Sequence, residues 1–390
     1  MQVSAPPVGV LPAKSMLPSA PCSPLSRASN ASSSGQVLWG LPEPSTADQD
    51  LDDSQFFCDE NVQEQRAPPQ QAHSRPASGQ AASSSAAAAS QASYGWRVTA
   101  ADELSEMIRR ELARERELPR SAGYLARADA QHGGEFVTPQ MRSIVTSWLS
   151  EVAGEFGMQQ ETLFLAVALL DRFQACSPSG VPRNVLQLVA VACMMVASKQ
   201  DEVSHPTVDE FTEIAADAFK REDLLRMERL LLDQLEWRVQ LPTTYVFLHL
   251  FTQALAGRLA PAAIALSAYL AELSLLDYAM LEHPPSLVAA AALAAGAAWH
   301  GGAAGAVEEV TGYSTASLGQ CAAQLLHLHQ CASAAECVAA YQPLAYVREK
   351  YSQDHWLAIS RHQPSASAAA ALGLPRAAPE VLQQQEAARA

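Results

Sequence analysis

The strongest candidate for chemistry in this 390-residue chain is a charged cluster at the end of an apolar segment. Residues 186–198, LQLVAVACMMVAS, are apolar almost throughout, and Lys199, Gln200, Asp201 and Glu202 follow directly. A helix without a polar face is typical of a central core element. Its last turn favours a cation, because the backbone dipole gives that end partial negative charge. The ammonium group of Lys199 is therefore either a structural cap or a group presented to another molecule.

Patterns for catalysis or metal binding are weak elsewhere. The segment HLHQC offers His327, His329 and Cys331 at steps of two, which point in different directions on a helix and do not complete a zinc tetrahedron. We find no glycine-rich phosphate loop, nucleophile elbow or HExxH metal helix. We therefore expect no catalytic site, no metal and no cofactor.

Composition excludes further classes of function. The formal net charge is −15 and the pI is about 5.1, so the chain lacks the basic surface that binding to nucleic acid requires. The seven cysteines are scattered and odd in number, which indicates free thiols in a reducing compartment. The most apolar later stretch, 287–299, is short and rich in alanine, so we expect no membrane segment. The proline-interrupted N-terminus does not read as a secretory signal.

The chain divides into two low-complexity ends and a helical middle. Residues 1–95 are rich in Ser, Ala, Pro and Gln without a hydrophobic period, and residues 359–390 end in an Ala/Gln-rich stretch, so we predict two disordered tails. Between them, helix-start signals recur, such as Thr138 before Pro139, and Thr207 three residues before Glu210. No alternating strand pattern is present. The predicted fold class is all-α.

An internal repeat indicates two similar domains. ALLD at 168–171 precedes LVAVA at 188–192, and SLLD at 274–277 precedes LVAAA at 287–291. Each pair consists of a helix that ends in an acid and a later helix that is apolar on all sides. We predict two tandem helical domains, each built round one central apolar helix.

The motifs, taken in order, resemble those of a mitotic cyclin of the A/B group. The resemblance covers roughly residues 100–355 and rests on the segments TPQMRSIVTSWLSEV, ETLFLAVALLDRF, ASKQDEV, LLRMERLLLDQLEW, AELSLLDY, PPSLVAA and VREKYSQ. It implies a non-catalytic subunit that binds and activates a cyclin-dependent protein kinase. The predicted boundaries are 1–95 for a regulatory arm, 96–135 for an N-terminal helix and linker, 136–241 for the first cyclin domain, 242–358 for the second and 359–390 for the tail.

The resemblance assigns a kinase-docking role to the charged cluster. Lys199 and Glu228 match the lysine and glutamate with which cyclins hydrogen-bond the kinase backbone near its mobile regulatory helix. An acid among leucines, as Glu228 is, must find a partner or water, so a pair at the rim of the bundle would satisfy both residues. Glu202, Leu188 and Trp237 match further docking positions, although Leu188 also fits an ordinary core position. Gln200 departs from the usual aromatic.

A second constellation matches the substrate groove of A and B cyclins. Met141, Ile144, Val145 and Trp148 recur at helical spacing along one stripe, which pattern alone would assign to the core. The resemblance instead implies an exposed patch that holds Arg-x-Leu segments of substrates or inhibitors. Three further residues would complete the groove, with the first pairing with the basic residue of the segment: Glu151, Leu186 and Gln187. Val145 and Ser147 depart from the usual leucine and aspartate.

Arg142 and Asp171 match a charged pair that joins the first two helices of the domain. A buried pair of this kind is costly to halve, so we predict that it fixes helix register and binds no partner.

Two other functions are compatible with tandem helical repeats: a B-type transcription initiation factor, which would need a basic face, and a cyclin-fold scaffold without kinase activation. We expect the protein in the nucleus and cytoplasm.

Overall fold

The computed structural model describes residues 101–119, 121–126, 136–177, 180–300, 304–335 and 338–362. The predicted arm, 1–95, and most of the predicted tail lie outside these residues, as does the linker part at 127–135.

The described chain is helical, as predicted, and contains no strand beyond one isolated antiparallel bridge between Phe136 and Pro182. The α-helices are α1 (Ala101–Glu117), α2 (Pro139–Glu155), α3 (Gln160–Cys176), α4 (Leu186–Asp201), α5 (Val208–Ile214), α6 (Arg221–Gln234), α7 (Thr244–Ala254), α8 (Pro261–Ser274), α9 (Pro285–Trp299), α10 (Ala304–Thr311), α11 (Thr315–Ser333) and α12 (Ala345–Lys350). Short 3₁₀ segments lie at Arg183–Val185, Tyr278–Glu282, Ala339–Leu344, Asp354–Trp356 and Ile359–Arg361.

The first domain is built round α4. Helices α2, α3 and α6 pack against it, and nearly every residue from Leu186 to Ser198 is buried, which confirms the predicted central helix. The predicted helix starts are also present. The Thr138 hydroxyl accepts a hydrogen bond from Met141 N (3.2 Å), and Thr207 forms a capping box with Glu210.

The second domain repeats the plan round α9, which packs against α7, α8 and α11. Most of α9 is alanine, and its buried surface is continuous. Gly296 allows α8 to approach closely, because a Cβ at this position would overlap the Ala263 carbonyl oxygen and the Ser267 hydroxyl. The prediction of two helical domains with central apolar helices is therefore confirmed.

Several polar contacts join the two domains. Helix α1 packs on α7, and Glu115 caps the start of α9 by accepting hydrogen bonds from Ser286 N (2.8 Å) and Ser286 Oγ (2.6 Å). Glu272, fully buried in α8, accepts from Gln160 Nε2 (3.1 Å) and from Lys350 Nζ (2.8 Å). Because Gln160 belongs to α3, this carboxylate links elements of both domains.

Candidate docking site and groove

Lys199 and Glu228 form an ion pair at the rim of the first domain. Lys199 lies in the last turn of the buried helix α4, and Glu228 lies on α6, which packs against α4. Lys199 Nζ lies 2.8 Å from Glu228 Oε1, and the two side chains are 38% and 15% exposed. The contact uses one of three ammonium hydrogens and one of two carboxylate oxygens. The pair therefore retains donors and acceptors at the surface.

Trp237 lies beyond the end of α6 with its side chain 67% exposed. Trp237 N donates to Leu232 O (2.9 Å) and Glu236 N donates to Asp233 O (3.1 Å), the hydrogen-bond pattern of a Schellman turn. Glu236 and Trp237 both have positive φ, 52° and 58°, where glycine is usual. Non-glycine residues are uncommon in this conformation, which also occurs in two other turns of the chain, at Ala216 and Asp217 and at Leu357 and Ala358. The turn thus holds a large indole in solvent at a cost in backbone strain.

The other predicted docking residues differ in accessibility. Leu188 is only 7% exposed and belongs to the core, because α4 is covered on all sides, so its side chain is not available as a docking surface. Glu202 is half-buried, and its Oε1 accepts from Gln159 N (2.7 Å) and Thr162 Oγ1 (2.6 Å) at the start of α3. Glu202 therefore has a capping role in this structure, and its other carboxylate oxygen forms no hydrogen bond with a described residue.

The loop after α4 adds a residue that the sequence did not single out. Val203 is fully exposed, next to Glu202. The signal was a single aliphatic residue between polar neighbours, which is too common to be informative alone.

Three acids meet behind this loop. Burial, together with the nearby carboxylates of Glu161 and Glu202, raises the pKa of Asp201 to about 6. Its Oδ2 atom is buried without a hydrogen-bond partner among the described residues. Burial also raises the pKa of Glu161, with a smaller contribution from Glu202. The cluster is therefore more stable when one of the acids carries a proton.

The proposed groove stripe is less exposed than we predicted. Met141, Ile144 and Trp148 are half-buried, whereas Val145 is 7% exposed. The prediction of an exposed stripe is therefore wrong for Val145. Helix α2 packs against both α3 and α4, so a larger part of its surface is buried than if it packed against one helix.

The remaining groove residues lie on α2 and at the start of α4. Leu186 is 4% exposed and Gln187 is half-buried, so Leu186 could contribute only to the bottom of the groove. Glu151 is half-buried, and burial raises the pKa of its carboxyl group. A cation placed next to Glu151 would reverse that effect and stabilise the charged form.

Arg142 and Asp171 form a buried bidentate pair. Arg142 Nε and Nη2 each lie 2.6 Å from one Asp171 oxygen, and the side chains are 1% and 4% exposed. Burial alone would lower the pKa of Arg142, but the adjacent Asp171 carboxylate raises it above its usual value. The sequence missed two further members. Tyr124 Oη donates to Asp171 (2.9 Å), and Arg142 Nη1 donates to Leu275 O (2.8 Å) in the second domain.

The histidine-rich segment of α11 does not form a cluster of metal ligands. His329 is fully buried and contacts the rings of Tyr269 and Trp299 edge-on, whereas His327 lies against Cys331 on the same helix. In the part of the chain that the structure describes, no group of three or more His, Cys, Asp or Glu side chains could hold a metal ion. None of its helices is long and apolar enough to cross a membrane.

Comparison with known families agrees with this architecture. The family described as "Cyclin, N-terminal domain" matches residues 106–240, and "Cyclin, C-terminal domain" matches residues 242–365.

Similar proteins carry cyclin names. "G2/mitotic-specific cyclin-2" of Medicago sativa is 46% identical over 154 residues, which are 40% of this chain and 46% of that protein. "Cyclin-B2-2" of Arabidopsis thaliana is 35% identical over 234 residues, 58% of this chain and 54% of that protein. "Cyclin-A1-2" of Arabidopsis thaliana is 38% identical over 228 residues, 56% of this chain and 49% of that protein. The chain spans about half the length of these curated relatives.

Among solved structures, a viral cyclin from herpesvirus saimiri aligns with a TM-score of 0.43 and 20% identity, covering 64% of this chain and 99% of the viral chain.

Proposed function

The chain belongs to the cyclin family and is of the A/B type, and from this premise we propose that it binds and activates a cyclin-dependent serine/threonine protein kinase. It acts as the regulatory subunit and leaves catalysis to the kinase. The observation that supports the proposal is the partly exposed Lys199–Glu228 ion pair at the end of an otherwise buried helix.

The position of this pair is explained better by binding than by folding stability. A partly exposed ion pair contributes about 0–1 kcal/mol to folding, so stability alone gives little reason to hold two charges at the end of a core helix. The same charges are valuable at an interface, because polar groups that are already oriented bind a partner backbone with little further loss of entropy. Lys199 supplies donors, and Glu228 supplies an acceptor. A kinase segment with free backbone carbonyl and amide groups would satisfy both.

Trp237 supplies the apolar part of the same docking face. It lies in the Schellman turn that follows α6, the helix that carries Glu228, and it is 67% exposed. Tryptophan is enriched among residues that dominate binding energy at interfaces. Glu202 would contribute through its free oxygen, whereas Leu188 supports the face from the core.

We further propose that the surface of α2 recruits substrates or inhibitors through an Arg-x-Leu segment. Met141, Ile144 and Trp148 offer a half-buried apolar strip, with Val145 and Leu186 beneath it. Glu151 would pair with the basic residue of the segment, which would also relieve the energetic penalty of its burial. The strip and the docking pair lie on different helices, so each should be removable without the other.

The cellular role follows from the same premise. We propose that the protein controls progression through S, G2 or M phase and acts in the nucleus and cytoplasm. Imaging a fluorescent fusion through one synchronised cell cycle would test both statements.

A pull-down followed by a kinase assay tests the main proposal. The full-length chain is used to capture cyclin-dependent kinases, and each captured kinase is assayed on histone with and without the chain. We expect capture together with a strong rise in phosphorylation. Capture without activation would favour a scaffold, and binding to promoter DNA without capture would favour a transcription factor.

A further inference from the structure

One feature of the described chain that has no assigned role is a cleft where α1, α3 and the second domain meet. Its volume is about 720 Å³, within the range of ligand sites in proteins. One wall is formed by α1 and the residues just after it, a second by α3, and the third by the start of α7 and the segment 274–288. The cleft therefore lies between structural units, where small-molecule sites are common.

Most of the lining is apolar. Phe164, Val167 and Ala168 face it from α3, and Leu275 and Leu281 face it from the second domain. A cleft of this composition favours a ligand with an apolar body, because burying apolar surface contributes about 25 cal/mol per Å².

The acids of the cleft are already paired. Glu115 accepts both hydrogen bonds of Ser286 at the start of α9, and Asp171 is held by Arg142 and Tyr124. Both carboxylates therefore have hydrogen-bond donors, and Asp171 is also neutralised by Arg142.

Two arginines of the cleft form no ion pair with a carboxylate of the described residues. Arg172 makes one hydrogen bond in the described chain, from Nη1 to Pro119 O (3.2 Å), and its Nε is buried without a partner. Arg116, which also lines the cleft, forms no ion pair with a described carboxylate. In a chain whose net charge is −15, two unpaired guanidinium groups beside an apolar cleft are a local excess of positive charge. Guanidinium groups bind carboxylate, sulfonate and phosphate oxygens with strong charge-assisted hydrogen bonds.

We propose that this cleft binds a small amphipathic anion, with its apolar body between α3 and the second domain and its acidic group at Arg172 and Arg116. Binding of an anion in this cleft would be a function additional to kinase docking, and it does not depend on kinase docking. Because the cleft is bounded by both domains, the bound anion would stabilise their observed arrangement.

The experiment uses two fluorescent probes that differ only in charge. 8-Anilinonaphthalene-1-sulfonate has an apolar body and a sulfonate, and N-phenyl-1-naphthylamine has the same body without the sulfonate. Each is titrated into the full-length protein, and fluorescence and the melting temperature are measured. We expect one saturable site per chain and a rise in melting temperature, because a ligand that binds the folded state stabilises it.

Three substitutions locate the site. Ala168→Trp fills the cleft from α3 and should abolish binding of both probes. Leu281→Trp fills it from the second domain and replaces Ala168→Trp if circular dichroism shows that the latter is unfolded. Arg172→Gln should weaken the sulfonate probe about tenfold or more and leave the neutral probe unchanged. Arg183→Gln, an exposed arginine outside the cleft, is the matched control and should change neither affinity.

Three results would overturn the proposal. Binding of the sulfonate probe that survives a cleft-filling substitution would show that the probe binds elsewhere. Loss of that binding in Trp148→Ala would assign it to the surface of α2. Equal weakening of both probes by Arg172→Gln would refute the anion contact while leaving an apolar site.

Discussion

Replacing Arg142 with leucine should destabilise the protein strongly. The change removes both 2.6 Å hydrogen bonds to Asp171 and the 2.8 Å bond to Leu275 O. Asp171 is then left almost fully buried, and the Tyr124 hydroxyl is its one remaining hydrogen-bond partner among the described residues. Halving a buried ion pair costs about 3–5 kcal/mol, because one charge remains without compensation. At about 2–4 °C per kcal/mol for a domain of roughly 150–250 residues, the melting temperature should fall by about 6–20 °C.

The assay is calorimetry of the full-length protein at pH 7 with two comparison variants. The double variant Arg142→Leu, Asp171→Leu should melt above the Arg142→Leu single variant, since it leaves no buried charge. Arg221→Leu removes an exposed pair of similar length, 2.8 Å to Asp209 with side chains 41% and 76% exposed, and should cost no more than about 1 kcal/mol. An Arg142→Leu protein that melts within the range of this control would refute the reasoning, as would a double variant that melts below the Arg142→Leu single variant.

Three further predictions concern the other features. Trp148→Ala should weaken recruitment of Arg-x-Leu substrates by about 30-fold, the equivalent of roughly 2 kcal/mol at an interface, while phosphorylation of a short peptide without that segment stays near wild type. An equal loss of phosphorylation on both substrates would show that Trp148 has a structural role in the core and no specific role in substrate recruitment. A chain that starts near Tyr94 should fold and activate the kinase, because the arm lacks apolar periodicity; loss of activation on truncation would make the arm part of the docking surface. Asp201→Asn should raise the melting temperature at pH 7. The pKa of Asp201 is about 6 in the folded protein, above its unfolded value, so the wild-type protein loses stability as the pH rises from the unfolded pKa to the folded one. The gain from the substitution should therefore vanish below about pH 4, and a gain that does not depend on pH would contradict this origin.

The sequence predicted the parts of this protein that depend on local pattern. Helix starts at Thr138 and Thr207 follow from side chains that satisfy backbone donors within one turn, and the central helices follow from segments that are apolar on every side. The residues Arg142 and Asp171 could be paired because the family resemblance named both partners in advance.

The contacts that the sequence did not predict join distant elements. Glu202 caps the start of α3 from about 40 residues away, and Glu115 caps α9 from 171 residues away. A carboxylate carries no local signal of which distant amide it will reach, so these roles depend on the packed arrangement of helices. Val145 was misjudged for a related reason: helical spacing gives the direction of a side chain but not the number of neighbours that cover it.

The proposal that Lys199 and Glu228 hold the kinase can be tested without ambiguity about folding. The pair is partly exposed, so Lys199→Ala or Glu228→Ala should change the free energy of unfolding by no more than about 1 kcal/mol. At an interface, halving a desolvated charged pair costs about 2–5 kcal/mol, which weakens affinity by a factor of roughly 30 to 4,000. Arg221→Ala is the matched control, because it removes a surface cation of another ion pair.

The most direct measurement is activation of the captured kinase on a short peptide without an Arg-x-Leu segment, titrated with each purified variant. We predict that Lys199→Ala and Glu228→Ala melt like wild type, but that half-maximal activation of the kinase requires at least about a hundredfold higher concentration of either variant. Arg221→Ala should activate the kinase at the same concentrations as wild type. If both variants of the pair bind and activate the kinase at wild-type concentrations, the Lys199–Glu228 pair is not the docking site and the account is wrong at its centre.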